Sequence, residues 1–259
     1  MSTKPIGIFD SGVGGTSIWK EIHNLLPEES TIYLADSKNA PYGPKGKKRI
    51  IELCTKNTEL LLKKDCKLIV VACNTATTNA IDYLRANYNI PFIGIEPAIK
   101  PAALQTKTNA VGILATKGTL SSALFSKTSN AFANNINVVE QEGDGIVELI
   151  EAGNLYTDEM QTLLASYLKP MIQANIDYLV LGCTHYPYLT SLLHKMLPKG
   201  VEIIDSGAAV ARQTETVLKQ NRLINTQINS SIKQFFTNGN SEVMKQLLGN
   251  SFSVGYLDF

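Results

Sequence analysis

The sequence predicts an α/β protein made of two pseudo-symmetric α/β domains with mainly parallel sheets, facing each other across a cleft. Three observations carry that expectation. Short apolar runs of strand composition alternate with longer stretches of helical spacing along most of the 259 residues, the pattern of parallel sheets covered by helices. Strand ends also recur: GIFDS at Gly7 and GILAT at Gly112 lie 105 residues apart, Cys73 of VVACNT and Cys183 of LVLGCTH lie 110 apart, and FIGIEPA and EIIDSGA begin 110 apart at Phe92 and Glu202. Three matches in one order at nearly one spacing argue for duplication of a whole unit. Finally, polar residues follow the repeated strands, and open parallel sheets bind ligands beyond their strand carboxyl ends. Two such halves would place one site in the interdomain cleft.

The elements follow in order. IGIFD (6–10) is the first strand, and Ile18, Ile22, Leu25 and Leu26 mark the apolar stripe of the helix after it. TIYLAD (31–36), LIVVAC (68–73) and FIGIE (92–96) are further apolar runs of strand length. Pro97 and Pro101 suit a crossing between halves. AVGILAT (110–116), INVVE (136–140), YLVLGC (178–183) and VEIID (201–205) are the strands of the second half, with a helix through Leu163, Leu164, Tyr167, Leu168, Met171 and Ile172. The return crossing is expected near Asp205 to Ala208, and the tail from about Lys233 to Phe259 offers one more strand and helix. Residues 1–97 with 207–259 are therefore assigned to a discontinuous first domain and 98–206 to a second.

Composition excludes several classes. Net charge is +1, from 24 basic and 23 acidic residues, and the longest basic run is the loop segment Lys45 to Arg49. Neither nucleic acid nor an anionic membrane is an expected partner. The opening MSTKPIGIFD lacks the charged and apolar regions of a secretory signal, and no apolar stretch reaches membrane-spanning length. A cytoplasmic location, with its four cysteines reduced, is the expectation.

Three segments carry chemistry. FDSGVGG (9–15) ends a strand with Asp10, Ser11 and three glycines; free N–H groups there suit a phosphate or carboxylate, or the glycines simply make a tight turn. CNTAT (73–77) puts a thiol at a strand end and helix start, where the helix terminus can lower its pKa. CTHYP (183–187) repeats this and adds His185, able to donate or accept a proton. Cys54 and Cys66 lack the polar turn and are expected to be inert, while His23 and His194 are expected to be ordinary surface residues. Zinc would need more ligands at recognisable spacing, and no CxxC or HxxxH is present. A thiol hydrolase would leave Cys73 unexplained. Two thiols facing one pocket from opposite sides can take a proton from one face of a carbon and return one to the other.

Together FDSGVGG, PYG (41–43), CNTAT, IEP (95–97), CTHYP and IDSG (204–207) resemble the glutamate racemases of the cofactor-independent aspartate/glutamate racemase superfamily, over nearly the whole chain. The resemblance implies interconversion of L- and D-glutamate with Cys73 and Cys183 as the catalytic acid/bases. It places Asp10 beside Cys73 and His185 beside Cys183 as proton partners, with Glu151 matching the family's acidic residue near the second cysteine. Substrate contacts would fall on Asp10, Ser11, Tyr42, Gly43, Asn74, Thr75, Thr184 and His185. It further implies no cofactor and no metal, a homodimer, and D-glutamate supply for peptidoglycan. CNTAT rather than CNTAH matches the glutamate branch, whereas EGDG (142–145) replaces the Cys-Pro pair that relatives often carry before IVELIEAGN.

The residues add a physical demand. No Lys-centred pyridoxal signature is evident, so hydrogen bonds must stabilise the carbanion; the expected donors are backbone N–H groups after Asp10, Cys73 and Cys183 with the Ser11, Thr75 and Thr184 hydroxyls. An aspartate or hydantoin racemase, or an amino-acid sensor binding between two lobes, are the alternative readings.

Overall fold

Both halves follow one strand plan. The chain, described by a computed structural model over residues 2–132, 136–227 and 231–259, starts with β1 (Ile6–Asp10), α1 (Thr16–Leu25), β2 (Thr31–Ala35), α2 (Lys47–Lys63), β3 (Leu68–Val71), α3 (Asn74–Asn87) and β4 (Phe92–Ile93). It continues with α4 (Ile99–Gln105), β5 (Ala110–Ala115), α5 (Lys117–Leu120), α6 (Ala123–Phe132), β6 (Asn137–Glu142), α7 (Ile146–Glu151), α8 (Asp158–Gln173), β7 (Tyr178–Gly182), α9 (Thr190–Met196) and β8 (Glu202–Ile204). Finally α10 (Gly207–Gln220), β9 (Lys233–Thr237), α11 (Ser241–Leu247) and β10 (Val254–Tyr256) return to the first sheet.

One sheet has the order β10-β9-β2-β1-β3-β4 and the other β6-β5-β7-β8, and every described ladder is parallel. The order 2-1-3-4 reappears as 6-5-7-8, so the repeat in the sequence is a repeat of topology. Gly7 and Gly112 show why glycine recurs on the central strand: a Cβ would come within 3.0 Å of Cys66 Sγ at the first and 2.8 Å of Met171 Sδ at the second.

Several boundaries differ from the sequence expectation. LIVVAC leaves the ladder at Val71, and Cys73 instead caps α3. Its counterpart Cys183 leads into a short 3-10 turn (Tyr186–Leu189), because Pro187 and a tighter turn replace the long helix. The basic run is not all loop, since α2 begins at Lys47. Pro101 lies in the first turn of α4, where its missing N–H has no helical partner to lose. The tail supplies two strands rather than one, and β6 is a half-exposed edge displaced to 137–142.

The largest apolar cluster runs from Ile8, Trp19 and Phe235 through Val210 to Ile146, Leu164 and Leu181, so the two halves share a core. Smaller clusters lie around Phe9, Leu61 and Val71, and around Ile113, Phe125 and Val180. Trp19 anchors the first: its Nε1 donates to Thr31 Oγ1 at 3.0 Å, and Phe235 and Phe252 meet it edge-on at 4.7 and 5.0 Å. His23 is not the ordinary surface residue expected; one turn beyond Trp19 on α1, it stacks on the indole at 4.9 Å, whereas His194 is exposed. Between the halves, Ser206 Oγ donates to the Glu96 carbonyl, stitching the two crossing segments together. Among the described residues no helix is long and apolar enough to cross a membrane.

Trp19→Ala should lower unfolding free energy by about 3–5 kcal/mol, while Leu104→Ala, at a position 72% exposed, should cost less than about 0.5 kcal/mol. Urea denaturation of the two variants checks this, and comparable losses would refute the placement of the core.

Candidate active site

The loop after β1 is crowded by side chains from three directions. Val13 N–H donates to Glu151 Oε1 at 2.6 Å, Gly15 N–H donates to Asp10 Oδ2 at 2.7 Å, and Gly14 N–H lies 3.2 Å from His185 Nε2. A Cβ on Gly12 would collide with the Glu151 carboxylate, one on Gly14 with the His185 ring, and one on Gly15 would come within 2.7 Å of Asp10 Cβ and the Tyr33 hydroxyl. The expectation that these N–H groups cradle a ligand anion is therefore corrected: protein side chains already occupy residues 13 to 15. A sequence cannot distinguish the two uses, because both need glycine and a helix start.

The thiols come from equivalent strand ends and are buried, with exposures of 5% for Cys73 and 8% for Cys183. Cys73 Sγ lies 3.5 Å from Ser11 Oγ and accepts from Ala76 N–H at 3.4 Å. Cys183 Sγ lies 3.7 Å from His185 Nδ1. The other ring nitrogen, Nε2, is 2.6 Å from Glu151 Oε1. That contact is much shorter than the one to Gly14 N–H, so Nε2 carries the proton and donates it to the carboxylate. Ser37 Oγ donates to the second oxygen, Glu151 Oε2, at 2.8 Å.

Electrostatics separate the two thiols' surroundings. Burial, then the Asp10 charge, push the Cys73 thiol well above its usual range; Ser11 and the Ala76 N–H offset part of this. The expected lowering by the helix start is thus overridden, and Cys73 rests as a thiol. Burial also raises Asp10 above the usual carboxylate range, against the pull of His185 and the Gly15 N–H. Burial alone would lower His185, but hydrogen bonds and charge at Cys183 and Glu151 hold it well above the usual histidine value. Burial drives Cys54 far up and raises Cys66 to about 12, in keeping with inert structural thiols.

The remaining expected contacts divide. Both polar atoms of Asn74, and Asp10 Oδ1, are buried with no hydrogen-bond partner among the described residues. Such groups cost free energy unless a ligand or water meets them. Thr184 Oγ1 donates to Asp10 Oδ2 at 3.3 Å, so its hydroxyl holds the acid rather than facing outward. The Tyr42 hydroxyl is likewise committed: it donates to Asp36 Oδ2 at 2.5 Å inside the first half and is no free substrate donor. A Cβ added to Gly43 would lie 3.4 Å from Thr116 Cβ, at the seam between halves. Thr75 Oγ1 lies 2.7 Å from Thr116 Oγ1 and 3.4 Å from Thr119 Oγ1. Thr116 and Thr119 escaped the sequence reading, although the repeat held a signal: GILAT ends on Thr116 where GIFDS ends on Ser11. Among the described residues no group of three or more His, Cys, Asp or Glu is arranged to hold a metal ion.

The Asp/Glu/Hydantoin racemase family matches residues 6–214. This chain belongs to that family. The glutamate racemase of Herpetosiphon aurantiacus is 46% identical over 239 residues, spanning 92% of this chain and 94% of that one. That of Ectopseudomonas mendocina is 46% identical over 249 residues, spanning 96% and 94%. The glutamate racemase isoform RacE1 of Bacillus anthracis superposes with a TM-score of 0.88 at 31% identity, over 100% and 99% of the two chains. The Escherichia coli glutamate racemase, solved with L-glutamate and the activator UDP-MurNAc-ala, gives 0.86 at 34% identity over 98% and 97%.

In this racemase the EGDG segment (142–145) has its own packing logic. Gly143 leaves room for the Tyr186 ring, whose hydroxyl donates to the Gly143 carbonyl at 3.2 Å, and Gly145 takes φ +78° at the start of α7. Pro41, Gly43, Thr116, Gly143 and Val147 line a surface cavity at the lip of the seam. Neither thiol lines this cavity.

Gly14→Ala should depress turnover by at least about 100-fold, because an added methyl displaces His185 from Cys183, and misplacement of about 1 Å costs that much. Gly46→Ala, with nothing within 4 Å of the added Cβ, should leave turnover unchanged. Steady-state assays with circular dichroism as a fold control decide it; an active Gly14→Ala enzyme would contradict the site.

Proposed function

We propose that the protein is a glutamate racemase that works without a cofactor, with Cys73 and Cys183 as its two acid/bases. The observation that carries this reading is the pair of sealed thiols on duplicated strand ends, each beside its own proton-handling partner. Passive capture of an amino acid, as in a sensor, needs neither thiol. The glutamate specificity rests on the full-length likeness to glutamate racemases, two of which are solved with L-glutamate or D-glutamate.

In one direction the Cys183 sulfur, as thiolate, takes the α-proton and the Cys73 thiol delivers its own proton to the opposite face. In the other direction the roles exchange, and each turnover leaves the proton inventory balanced between the two sulfurs. Asp10 serves as proton partner on the Cys73 side. On the Cys183 side, His185 and Glu151 form a relay in which the imidazolium gives a proton to the sulfur and the neutral imidazole so formed takes one back. Asn74, with unmatched polar atoms, and the Ser11 and Thr75 hydroxyls with the Gly43 backbone are the groups proposed to hold the charged ends of the substrate. Water exclusion strengthens each of these contacts where the carbanion forms.

The product D-glutamate would serve peptidoglycan synthesis in the cytoplasm. The proposed domains are 1–97 with 207–259 and 98–206, a division that follows sheet membership, and a homodimer is the proposed assembly by family likeness.

A chiral assay with no pyridoxal phosphate added should show interconversion of L- and D-glutamate and far weaker turnover of aspartate. Cys73→Ser and Cys183→Ser should each remove racemisation by at least about 1,000-fold, the scale on which loss of an acid/base is felt. In deuterated water, early product should carry solvent deuterium while recovered substrate does not. Retention of the original proton in product would point to a single shuttling base and sink the two-thiol scheme.

The pH profile follows from the direction of each shift. His185 is held protonated well above the usual 6.5, so kcat/KM should stay level through that value and fall only at more alkaline pH as the proton is lost. Asp10 titrates above its usual 3.8, so a decline on the acid side should begin above the ordinary carboxylate range. A basic limb centred near 6.5 would contradict the role given to His185.

A further inference from the structure

The short turn after β2 reaches a part of the site that neither thiol touches. Ser37 opens a single 3-10 turn (Ser37–Asn39), and its backbone is fixed from the tail of the first sheet. Lys38 N–H donates to Asn238 Oδ1 at 2.9 Å, and Gly239 packs so closely that a Cβ there would come within 2.6 Å of Ser37 Cβ. From this rigid base the Ser37 hydroxyl crosses to the other half and donates to Glu151 Oε2. Glu151 ends α7, and its other oxygen receives Val13 N–H and His185 Nε2.

We propose that Ser37 is a positioning residue for the Cys183 side of the reaction, acting through Glu151 to hold the His185 ring at the Cys183 sulfur. The proposal rests on the racemase reading above and adds a residue to it. Oε1 is a pivot with two donors, and rotation of the carboxylate about that pivot is checked at Oε2 by Ser37 alone among the described hydrogen bonds. Without the hydroxyl, the carboxylate turns, and the imidazole loses the fixed acceptor that orients Nδ1 toward Cys183. The Cys73 side is held by separate contacts, since Asp10 Oδ2 is gripped by Gly15 N–H and Thr184 Oγ1. The defect must therefore fall on one thiol only. The Ser37–Glu151 bond also spans the two halves, so the position of the carboxylate depends on both.

The test uses primary isotope effects with D-glutamate and L-glutamate deuterated at the α-carbon. Ser37→Ala should lower kcat/KM about tenfold, the loss of one hydrogen bond to a charged group. That loss must be equal in both directions because the equilibrium constant of a racemisation is one. The isotope effect on kcat/KM, however, should rise for one isomer and fall for the other. The rising isomer should be the one whose effect also rises in His185→Asn, and the opposite of the one that responds to Asp10→Asn. An isotope effect is a ratio, so it is independent of how much variant enzyme folds. In addition, Ser37→Ala should add almost no loss to Glu151→Gln, since both act on one chain of contacts. Isotope effects that stay symmetric, or losses that add in the double variant, would overturn the proposal. Failure of wild-type racemisation, or an active Cys183→Ser enzyme, would instead overturn the underlying reading.

Discussion

The packing of three side chains against a bare glycine backbone governs this site. Asp10, Glu151 and His185 come from a strand end, a helix end and a turn in two different halves, and each lies against the N–H groups of residues 13 to 15. A single methyl at Gly12, Gly14 or Gly15 would push one of them away. The N-terminal end of α1, with its partial positive charge, thus donates N–H groups to the Asp10 and Glu151 carboxylates, while the His185 ring packs against Gly14. Everything that distinguishes the two thiols follows from what the loop after β1 holds beside each.

Duplication supplies two thiols; the loop makes them unequal. Cys73 caps a long helix, yet burial and the Asp10 charge outweigh the helix end and keep its proton on. Cys183 enters a short turn that brings His185 within 3.7 Å, and its sulfur together with the Glu151 carboxylate holds that ring well above the usual histidine value despite full burial. A buried imidazolium and a buried acid are each costly alone. Side by side, joined by a 2.6 Å contact, with the Val13 N–H also donating to the carboxylate, they offset one another. The two thiols therefore rest in unlike surroundings, one under burial and the Asp10 charge and the other beside an imidazole held by a carboxylate.

Much of this was legible in the residues. Alternating runs and the 105- and 110-residue offsets marked the two parallel sheets, because a strand buried on both faces leaves an uninterrupted apolar signature. The thiols, Asp10 and His185 were visible since each follows such a run directly. What stayed hidden involves groups joined only by folding. Ser37 and Glu151 are 114 residues apart, and nothing local marks either as the other's partner. The Tyr42 hydroxyl reads as a ligand donor in PYG until Asp36, buried six residues earlier, is found to accept it. His23 reads as a surface residue until Phe252 and Trp19 enclose it. Glycine-rich loops are ambiguous for a deeper reason: a backbone that can approach a ligand can equally approach a side chain.

Closure of the cleft carries a thermodynamic requirement of its own. Asp10 Oδ1 and both polar atoms of the Asn74 amide are buried with no hydrogen-bond partner among the described residues, and a buried polar group left unmatched costs about 1–3 kcal/mol. Contacts across the seam oppose that cost: Thr75 with Thr116, Ser17 Oγ with the Thr184 carbonyl at 2.9 Å, Asn79 with the Gly118 carbonyl at 3.1 Å, and Ser37 with Glu151. A substrate whose polar groups meet Asn74 removes the penalty, so binding and closure favour each other by differential contact. A buried amide and a buried carboxyl oxygen of this kind favour a ligand with polar ends to meet them over an apolar one, because only the former replaces the hydrogen bonds that burial removes.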